Sequence, residues 1–481
     1  MADNNKISSR ATGPGSILSI KVVSNKDPKR VFDIISLGAP VVFKYYESLL
    51  QDVIYATVTY VDGGTLKPGN GGPGGTAVVD LPITGSESVY LEFEDVNEEK
   101  IIIKELLINK VTEIFEDSGK TMVTLEMNSK ELFDNDKIRL NKRFDGKISD
   151  HIKKILTDSD YLETKKELHI EDSVDEYNKI MNNKKPFYMM NYLSTLAIPS
   201  SGNSDASKNS AGYLLWETSK GFHFRSVDWL FNIDTNPRKK SIIYNETSDA
   251  GGKDIPAAYD MKALSFEKDN RNDIKSKLDQ GAYSNRLITF NPFNCFYEVT
   301  YPNAGNQANA AEESASAPGS QKKTKHTGEE LPTLNPRIKT ANGGNNDFSR
   351  TTFKLLDVGT LPAGSGGEKD PQGQSQLDAS EKENAKPAKV LNQGIMRLNQ
   401  MNSFKISMTI PGDFSLHAGD MIYVDSPMLN ATETRDKQDD VDNQSGGLYI
   451  IRDLCHYMTA LETYTQINVV RDSVGRKDKP H

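Results

Sequence analysis

The sequence has few of the residues that build covalent or metal-bound frameworks. Its 481 residues include two cysteines, two tryptophans and seven histidines. Cys295 and Cys455 cannot form a disulfide framework, which fits assembly in a reducing cytoplasm. Because both lie among apolar or aromatic residues, we expect two buried free thiols without a redox role.

Long apolar runs are also absent. No stretch approaches the ~20 apolar residues of a membrane-spanning helix, and the amino terminus lacks the apolar core of a signal peptide. Hydrophobic residues make up 36% of the chain, charged residues make up 26%, and the formal net charge is -9. These values predict a soluble, mildly acidic protein of about three domains that does not insert into membranes.

The carboxylates and hydroxyls that could support catalysis do not form a coherent set. Glu217 and Asp228 are the nearest pair of the kind that a glycosidase needs, but exposed strand and helix positions explain both. Ser415, His417 and Asp420 supply the groups of a hydrolytic triad within one turn, yet no nucleophile elbow or oxyanion loop accompanies them. We therefore expect no catalytic residue.

Metal and cofactor sites are not predicted either. Cys455 and His456 are adjacent on a strand, so their side chains point to opposite faces and cannot share a metal ion. The glycine-rich segment 62–75 lacks the Gly-Lys-Ser/Thr ending of a phosphate-binding loop, and we interpret it as a hairpin tip. His223, in an aromatic strand, is expected at a solvent-facing or interface position.

Strand patterns are abundant near both ends of the chain. In a first region, 16–132, alternating apolar and polar residues predict several short strands. These predicted strands cover residues 17–23, 55–61, 88–93, 100–111 and 121–127. In a last region the alternation returns from Phe404 to Ile410 and is followed by a Pro-Gly turn. Further strands are predicted at 421–425, 448–458 and 462–470. Each region therefore predicts a small antiparallel barrel or sandwich.

Helical patterns follow the first β region. Apolar residues recur with helical spacing at 149–156 and 187–196, and Ser173 is expected to cap a helix. Residues 133–212 are thus predicted to form a peripheral α-rich lobe. With strands in the majority elsewhere, the predicted fold class is α+β, mainly β.

A long insertion, 237–399, interrupts the second β region. It includes a strand pattern at 352–357 and a helical pattern at 270–278, and a further helical pattern at 390–401 leads from it into the terminal strands. Two of its stretches, 303–347 and 362–386, have almost no apolar residues. Because such stretches cannot offset their ordering entropy by burial, we expect disorder or exposed loops there. Residues 1–15 are expected to be a disordered lead-in, and residues 472–481 a tail.

Three segments carry a resemblance to one protein family. The segment from Phe404 to Asp425 follows the order strand, Pro-Gly, leucine, Gly-Asp, strand, and the segment from Leu214 to Leu230 contains a strand, a Lys-Gly turn, an aromatic strand and a short helix. Residues 281–297 contain a pair of strands. In this order the segments resemble the second tube-type barrel, and its insertion, of the baseplate hub proteins of T-even-type contractile-tailed bacteriophages and their marine relatives.

The resemblance implies two tube-type antiparallel β-barrels, one at 16–132 and one at 213–236 plus 400–471. In that family three chains close into a ring of six barrels, which joins a six-fold tail tube above to a three-fold spike below. It therefore implies a homotrimeric virion protein of the tail baseplate, assembled in the host cytoplasm, without enzyme activity or cofactor. The implied partners are the spike protein, tail-tube or tube-initiator proteins and baseplate wedge proteins, with DNA only as passing cargo.

The strands of the second barrel are the expected contact surfaces. We predict that its edge strands make subunit or tube contacts. The predicted contact residues are Phe222, His223, Phe224, Phe404, Ile406, Met408 and Ile410.

Two alternatives stay open at this point. The hub of another contractile injection machine, such as a type VI secretion apparatus, shares the two-barrel plan. Such hubs usually continue into a long repetitive β-helix, whereas this sequence ends at His481 without one, so we favour a phage hub. A tail-associated cell-wall hydrolase is the weaker alternative, because it needs a pair of catalytic carboxylates.

Overall fold

The computed structural model shows a mainly β protein with a few short helices. It describes residues 14–36, 40–62, 83–115, 121–174, 176–200, 212–244, 259–270, 273–281, 285–291, 295–300, 348–355, 394, 397–425 and 446–472. The segments predicted as a hairpin tip, a disordered lead-in, exposed loops and a tail lie wholly or mainly outside these residues.

Seven strands from the first region form one half of a fourteen-stranded sheet, which we call the first half. They are β1 (Ser16–Val23), β2 (Val31–Asp33), β3 (Pro40–Ser48), β4 (Tyr55–Asp62), β5 (Ser88–Glu94), β6 (Lys100–Phe115) and β7 (Thr121–Asn128), with a 3₁₀ turn at Ile34–Ser36. Their order is β3-β4-β7-β6-β5-β1-β2, and all neighbours are antiparallel. Inward-facing residues from these strands, among them Phe43, Val58, Phe93 and Leu125, meet in a single core.

In the lobe that follows, the described residues form three helices and three short strands. They are α1 (Lys130–Lys137), β8 (Arg143–Phe144), α2 (Ile148–Thr157), β9 (Leu168–Ile170), β10 (Lys179–Ile180) and α3 (Pro186–Ser194). The two helices predicted from periodicity are present. Ser173 does not begin a helix of its own. It lies in a bridge with Pro199, and its hydroxyl accepts a hydrogen bond from the Ser149 N–H, in the first turn of α2, over 3.1 Å.

A hairpin connects the lobe to the second β region. It consists of β11 (Tyr213–Thr218), β12 (Gly221–Ser226) and the short helix α4 (Val227–Leu230), as its sequence predicts. β12 also pairs in parallel with β9, so the hairpin belongs to a separate three-stranded sheet of order β11-β12-β9. Gly221 permits this close approach, because a Cβ at its φ of +127° would lie 2.2 Å from the Glu167 carbonyl oxygen. These pairings do not support the prediction that the hairpin supplies strands of a second barrel.

The remaining seven strands of the large sheet form the second half. They are β13 (Lys240–Ile243), β14 (Met261–Lys262), β15 (Ser265–Asn270), β19 (Phe404–Pro411), β20 (Met421–Asp425), β21 (Gly447–Thr459) and β22 (Thr463–Arg471). β13 pairs with β14 and with β20, then β20 pairs with β21, β21 with β22, β22 with β19, and β19 with β15. Because β14 leads directly into β15, this path of strands returns on itself around the core that contains Ile406, Val424 and Ile467.

The rest of the insertion that the structure describes is a small sheet with one helix. These elements are α5 (Ile274–Gln280), β16 (Asn285–Asn291), β17 (Phe296–Thr300) and β18 (Arg350–Leu355). The order is β17-β16-β18, with β17 antiparallel and β18 parallel to β16. The predicted strand pair and the predicted strand near 352–357 are confirmed, and residues 397–401 are helical as predicted.

Candidate functional site at the joint between the two halves

The two β regions are not separate sheets, because β3 of the first half pairs with β21 of the second. Seven residue pairs run antiparallel from Asp453 opposite Ser48 to Thr459 opposite Val42. The Ser48 hydroxyl also donates to the Asp453 carboxylate over 2.6 Å. We call this ladder, with the side chains packed beside it, the joint.

β21 takes part in both cores. Ile451 and Leu454 pack in the core of the second half, whereas Met458, near the end of the strand, packs in the core of the first half. The register between β21 and β22 shifts between Ile451 and Asp453. A shift of this kind is a bulge, which bends and twists a strand. One strand thereby passes from one core to the other.

A buried carboxylate lies beside the joint. Glu47 of β3 is 1% exposed, and it accepts hydrogen bonds from the Tyr45 hydroxyl at 2.7 Å, the Ser219 N–H at 3.0 Å and the Ala418 N–H at 3.0 Å. The His417 ring Nδ1 lies 3.2 Å from its Oε1. Burial alone would raise the pKa of Glu47, but His417 and the hydrogen-bond donors together lower it to about 2. The ionised side chain therefore ties β3 to the hairpin turn and to the loop before β20.

Phe414, in that loop, connects the two halves a second time. Its ring packs edge-on against Phe93 of β5, with centroids 5.1 Å apart. Its backbone N–H donates to the Asp95 carboxylate over 3.0 Å. The loop of one half is thus anchored in the core of the other.

His456 of β21 packs in the joint between Tyr45 and Phe414. It is fully buried, stacked on Tyr45 at 5.9 Å between centroids and tilted against Phe414 at 4.5 Å. Its Nδ1 lies 2.9 Å from the Thr465 hydroxyl oxygen. Burial lowers the pKa of His456 to about 3, although the nearby Glu47 acts in the opposite direction. This ring is therefore a neutral core residue.

Ser415, His417 and Asp420, the three candidate residues of a hydrolytic triad, instead stabilise the shape of the same loop. The Ser415 hydroxyl donates to the Asp413 carboxylate over 2.6 Å, and the Asp420 carboxylate accepts from the His417 backbone N–H over 2.9 Å. The His417 ring faces Glu47. The Ser415 hydroxyl is thus paired with the Asp413 carboxylate, and the His417 ring with the Glu47 carboxylate. A hydrolytic triad needs the serine hydroxyl paired with the imidazole instead.

Glu217, expected at an exposed position, is buried at 1% exposure. It accepts hydrogen bonds from the Ser129 hydroxyl at 2.6 Å and from the Ile54 N–H at 3.1 Å. It also forms an ion pair of 2.6 Å with Lys166. The prediction failed because every residue of β11 is buried, on both faces of the strand, which alternation along the sequence does not reveal.

Asp228, the other carboxylate of that candidate pair, binds Arg397. The guanidinium of Arg397 is 3% exposed and lies 2.8 Å from Asp228 and 2.6 Å from Asp472. Asp472 is fully buried. Arg397 therefore fastens the segment before β19 to both α4 and the end of β22.

The strands predicted to make subunit contacts are internal. β12 lies between β11 and β9, and β19 lies between β15 and β22, so neither is a sheet edge. Five of the predicted contact side chains are at most 3% exposed, namely Phe222, Phe224, Ile406, Met408 and Ile410. Their burial in their own chain does not support the prediction that these side chains bind another subunit.

The other two predicted contact residues are half-buried. His223 stacks between Trp216, at 5.0 Å between centroids, and His169, at 4.6 Å. Burial first, and then the neighbouring His169, lowers its pKa to about 3. Phe404 packs beneath the Arg471 guanidinium, 5.0 Å from the ring centre. Both side chains have partners within the chain.

The two cysteines differ in environment. Cys455 is buried, as expected, and burial raises its pKa to about 11. Cys295, in the turn before β17, is exposed, which contradicts the prediction of a buried thiol. Among the described residues, no three His, Cys, Asp or Glu side chains come close enough together to hold a metal ion. In the same part of the chain, no helix has the length and apolar character to cross a membrane.

A groove of about 790 Å³ lies at the joint. Its lining mixes polar side chains, among them Ser48, Asp453 and Asn468, with apolar ones, among them Phe266, Met408 and Leu454. Small-molecule sites are mostly apolar and enclosed. This groove is open to solvent and only half of its lining is apolar, so it does not match that description.

Comparisons with known proteins find similarity only among solved structures. No protein-family model matches the sequence, and no curated protein sequence matches it. The tail protein from Neisseria meningitidis MC58 is similar over 96% of this chain and 98% of its own length, with 8% identity and a TM-score of 0.48. The 43 kDa tail protein of prophage MuSo2 from Shewanella oneidensis is similar over 95% of this chain and 100% of its own, with 8% identity and a TM-score of 0.46.

A third similar structure comes from a secretion apparatus. The E. coli c3393 protein, a component of the type VI secretion system, covers 92% of this chain with 76% of its own length, at 6% identity and a TM-score of 0.38. These three structures are thus two tail proteins, one of them from a prophage, and one component of a type VI secretion system.

Proposed function

We propose that this chain is the subunit of a homotrimeric baseplate hub at the centre of a contractile phage tail. The observation that carries the proposal is the joint, where two seven-stranded halves of one chain meet edge to edge in a continuous sheet. The resemblance of the segments 214–230, 281–297 and 404–425 to hub proteins supplies the biological context.

The joint gives one chain two β units side by side. Three copies of such a chain, related by a three-fold axis, present six β units in a ring. A ring of this kind matches a six-fold tail tube on one side and a three-fold spike on the other, which no single-unit chain does with three copies. Head-to-tail contacts that close on themselves are the interface type that builds such a ring.

The buried groups at the joint support a mechanical role. Glu47, His417 and His456 hold the two halves in one relative orientation through short hydrogen bonds and ring packing. The carboxylates Glu217 and Asp228, considered for catalysis, are each paired with a cation within the fold. Chemistry of this kind fixes a shape, and a hub that transmits force and keeps a channel open needs a fixed shape.

The proposed neighbours follow from that position. The spike protein lies below the ring, tail-tube or tube-initiator proteins lie above it, and wedge proteins surround it. Genome passes through the centre as cargo during ejection. The formal net charge of -9 disfavours phosphate contacts that would retain passing DNA.

Sedimentation of the purified chain, combined with averaged electron-microscope images of the same sample, tests this proposal. We expect the mass of three chains and a ring with a central hole and six peripheral densities. A sample that stays monomeric at high concentration, both alone and after addition of the spike protein, contradicts the proposal. A closed ring with a different number of copies also contradicts it, because the symmetry argument depends on three.

A further inference from the structure

The joint links eight strands of the two halves into one antiparallel run. In order, these strands are β15, β19, β22, β21, β3, β4, β7 and β6. Because neighbours alternate in direction and the number of strands is even, β15 and β6, at the two ends, run in opposite directions. β15 of one copy is therefore oriented to continue the antiparallel pattern beside β6 of another.

Both ends of this run have an edge that no described strand covers. Among the described strands, β15 pairs with β19 alone. β6 pairs with β5 as far as Leu107 and with β7 from Leu107 to Phe115. In the described part of the chain, the segment Lys110–Phe115 therefore has a strand on one side only. An open edge presents backbone N–H and C=O groups that a further strand can bind.

The two halves contain the same arrangement of four strands. β3-β4-β7-β6 of the first half corresponds to β15-β19-β22-β21 of the second, and all neighbours are antiparallel. In the first half, the register of β6 against β7 shifts between Ile108 and Lys110. In the second half, the register of β21 against β22 shifts between Ile451 and Asp453. At the joint, the first strand of one set, β3, pairs with the last strand of the other, β21. The corresponding pair that remains open is β15 with β6.

The register shifts also define which residues correspond. One row of paired residues in each half starts just before the shift and crosses the four strands. The rows are Ile108, Met127, Ala56 and Tyr45 in the first half, and Ile451, Val469, Ile406 and Lys268 in the second. Lys268 thus has the position in its half that Tyr45 has in the other. Glu113 follows the shift in β6 at the same spacing as His456 follows the shift in β21. Because Tyr45 lies opposite His456 at the joint, the same register places Lys268 opposite Glu113.

These two residues carry opposite charges. Glu113 is exposed and Lys268 is half-buried. The Lys268 ammonium lies over the Phe266 ring of its own strand, 5.8 Å from the ring centre. An ammonium has three donors, so it can keep this contact and also bind a carboxylate. Opposite charges on directly opposed residues stabilise an antiparallel pair, whereas like charges destabilise it. The charges of Lys268 and Glu113 therefore favour this register.

We propose that β15 of one copy pairs antiparallel with the segment Lys110–Phe115 of β6 in the next copy, in the register that the joint has within one chain. This inference rests on the proposed trimer and names the strands that close it. Three copies joined in this way combine their eight-stranded runs into one closed barrel, and closure removes both open edges. Joints and subunit contacts then alternate around the ring, so the six β units meet through contacts of one kind.

Charge reversal in the full chain tests this pairing. Lys268→Glu places two carboxylates opposite each other, and Glu113→Lys places two ammonium groups there. In each variant, sedimentation equilibrium should show self-association weakened about tenfold per contact. The variant with both changes regains an opposite-charge pair and should associate as the native chain does. Lys104→Glu and Glu105→Lys are the matched controls. They make the same charge changes at exposed positions of β6 beside β5, and should leave the affinity unchanged.

A disulfide tests the register directly. In a Cys295→Ser background, the variant with Lys268→Cys and Glu113→Cys should form covalently linked trimers on oxidation, because directly opposed residues meet the distance requirement of a disulfide. Either new cysteine alone should give no linked trimer. Thermal unfolding of every variant in reduced form verifies that the fold is kept, and if a charge reversal fails to fold, the disulfide variant decides.

The outcomes separate this inference from the proposed function. A native chain that forms trimers, with equally tight trimers in both single reversals and no linked trimer, overturns the strand pairing and leaves the hub proposal standing. Single reversals that weaken the trimer without recovery in the combined variant also overturn the pairing, since the two residues then do not lie opposite each other. A native chain that stays monomeric overturns both proposals.

Discussion

The two halves of the large sheet have equal numbers of strands but are assembled in different ways. The first half comes from one continuous stretch, and the second half comes from three stretches, 240–270, 404–425 and 447–471. Described ion pairs between strands of the first half lie at its surface, as in Lys110 with Glu126 at 3.3 Å, whereas the second half borders the buried pairs of Arg397. Because the strands of the first half are close together in the sequence, alternation of apolar residues and packing of the core are enough to assemble them. The segments of the second half are far apart in the sequence, and buried ion pairs make their association specific, because a buried charge without its partner is costly.

The largest effect is expected for Arg397→Met, which tests this difference between the two halves. The change leaves Asp228 and Asp472 buried without their cation, so we expect a loss of about 3–5 kcal/mol in the free energy of unfolding. Urea unfolding followed by circular dichroism measures it. The matched change in the first half, Lys110→Met, breaks a surface pair and should cost less than about 1 kcal/mol. Similar losses for the two variants would show that the halves are stabilised alike.

Glu47→Gln addresses the joint itself. The amide keeps the shape of the side chain but removes its charge and points an N–H₂ group at hydrogen-bond donors, so we expect a loss of about 3 kcal/mol. The two halves should also lose cooperativity, seen as a broader or two-step unfolding curve. Glu105→Gln, at an exposed position of β6, is the control and should unfold as the native chain does. A single sharp transition at the native midpoint for Glu47→Gln would contradict the role given to this carboxylate.

The sequence alone defined the strands well and their partners poorly. Because period-2 patterns are local, alternation located the hairpin and nine of the fourteen strands of the large sheet, but it missed β2, β3, β13, β14 and β15. It did not reveal that β21 pairs with β3, or that β9 covers β12, because such pairings depend on side chains hundreds or tens of residues apart. Predictions about exposure failed for Glu217 and Cys295 for the same reason.

One signal of the joint was present in the sequence. Phe43, Tyr45 and Glu47 share one face of β3, so the strand pattern places a carboxylate on a core face. A charged residue in such a position needs buried donors. The donors themselves, from Ser219 and Ala418, come from loops that no strand pattern brings together. Arg397 carried no comparable signal, since its helical segment has partners in two distant elements.

Acid should affect the two halves unequally. His456 has a pKa of about 3 in the folded chain and an ordinary value near 6.5 when unfolded. The unfolded chain therefore binds more protons in this window, and stability is lost as the pH falls from about 6.5 towards 3, by about 2 kcal/mol at pH 5. Unfolding midpoints at pH 7 and pH 5 measure this. His456→Gln should remove about 2 kcal/mol of the loss at pH 5 and leave the part that comes from His223, whose pKa is also about 3, whereas Phe93→Leu, in a first half without histidine, should destabilise the chain and leave the dependence as it is. An equal slope in all three proteins would contradict the assignment.

The smallest effect is on thiol reactivity. Cys455 is buried at the joint with a pKa raised by burial, and Cys295 is exposed in the small sheet. We expect a maleimide to label one site per native chain, at Cys295, and two sites in denaturant. Mass spectrometry of the labelled peptides verifies the positions. Rapid native labelling of Cys455 would show that the joint opens readily.

The sharing of β21 between two cores has a mechanical consequence. Because β21 packs in both cores, tension applied to one half passes along this strand and through its pairing with β3 into the other half. Pulling the halves apart along the strand direction must shear all seven residue pairs of β3 and β21 at once, while pulling across it would break them one after another. A collar made from such subunits would therefore resist stretching along the strand direction within each chain through this ladder.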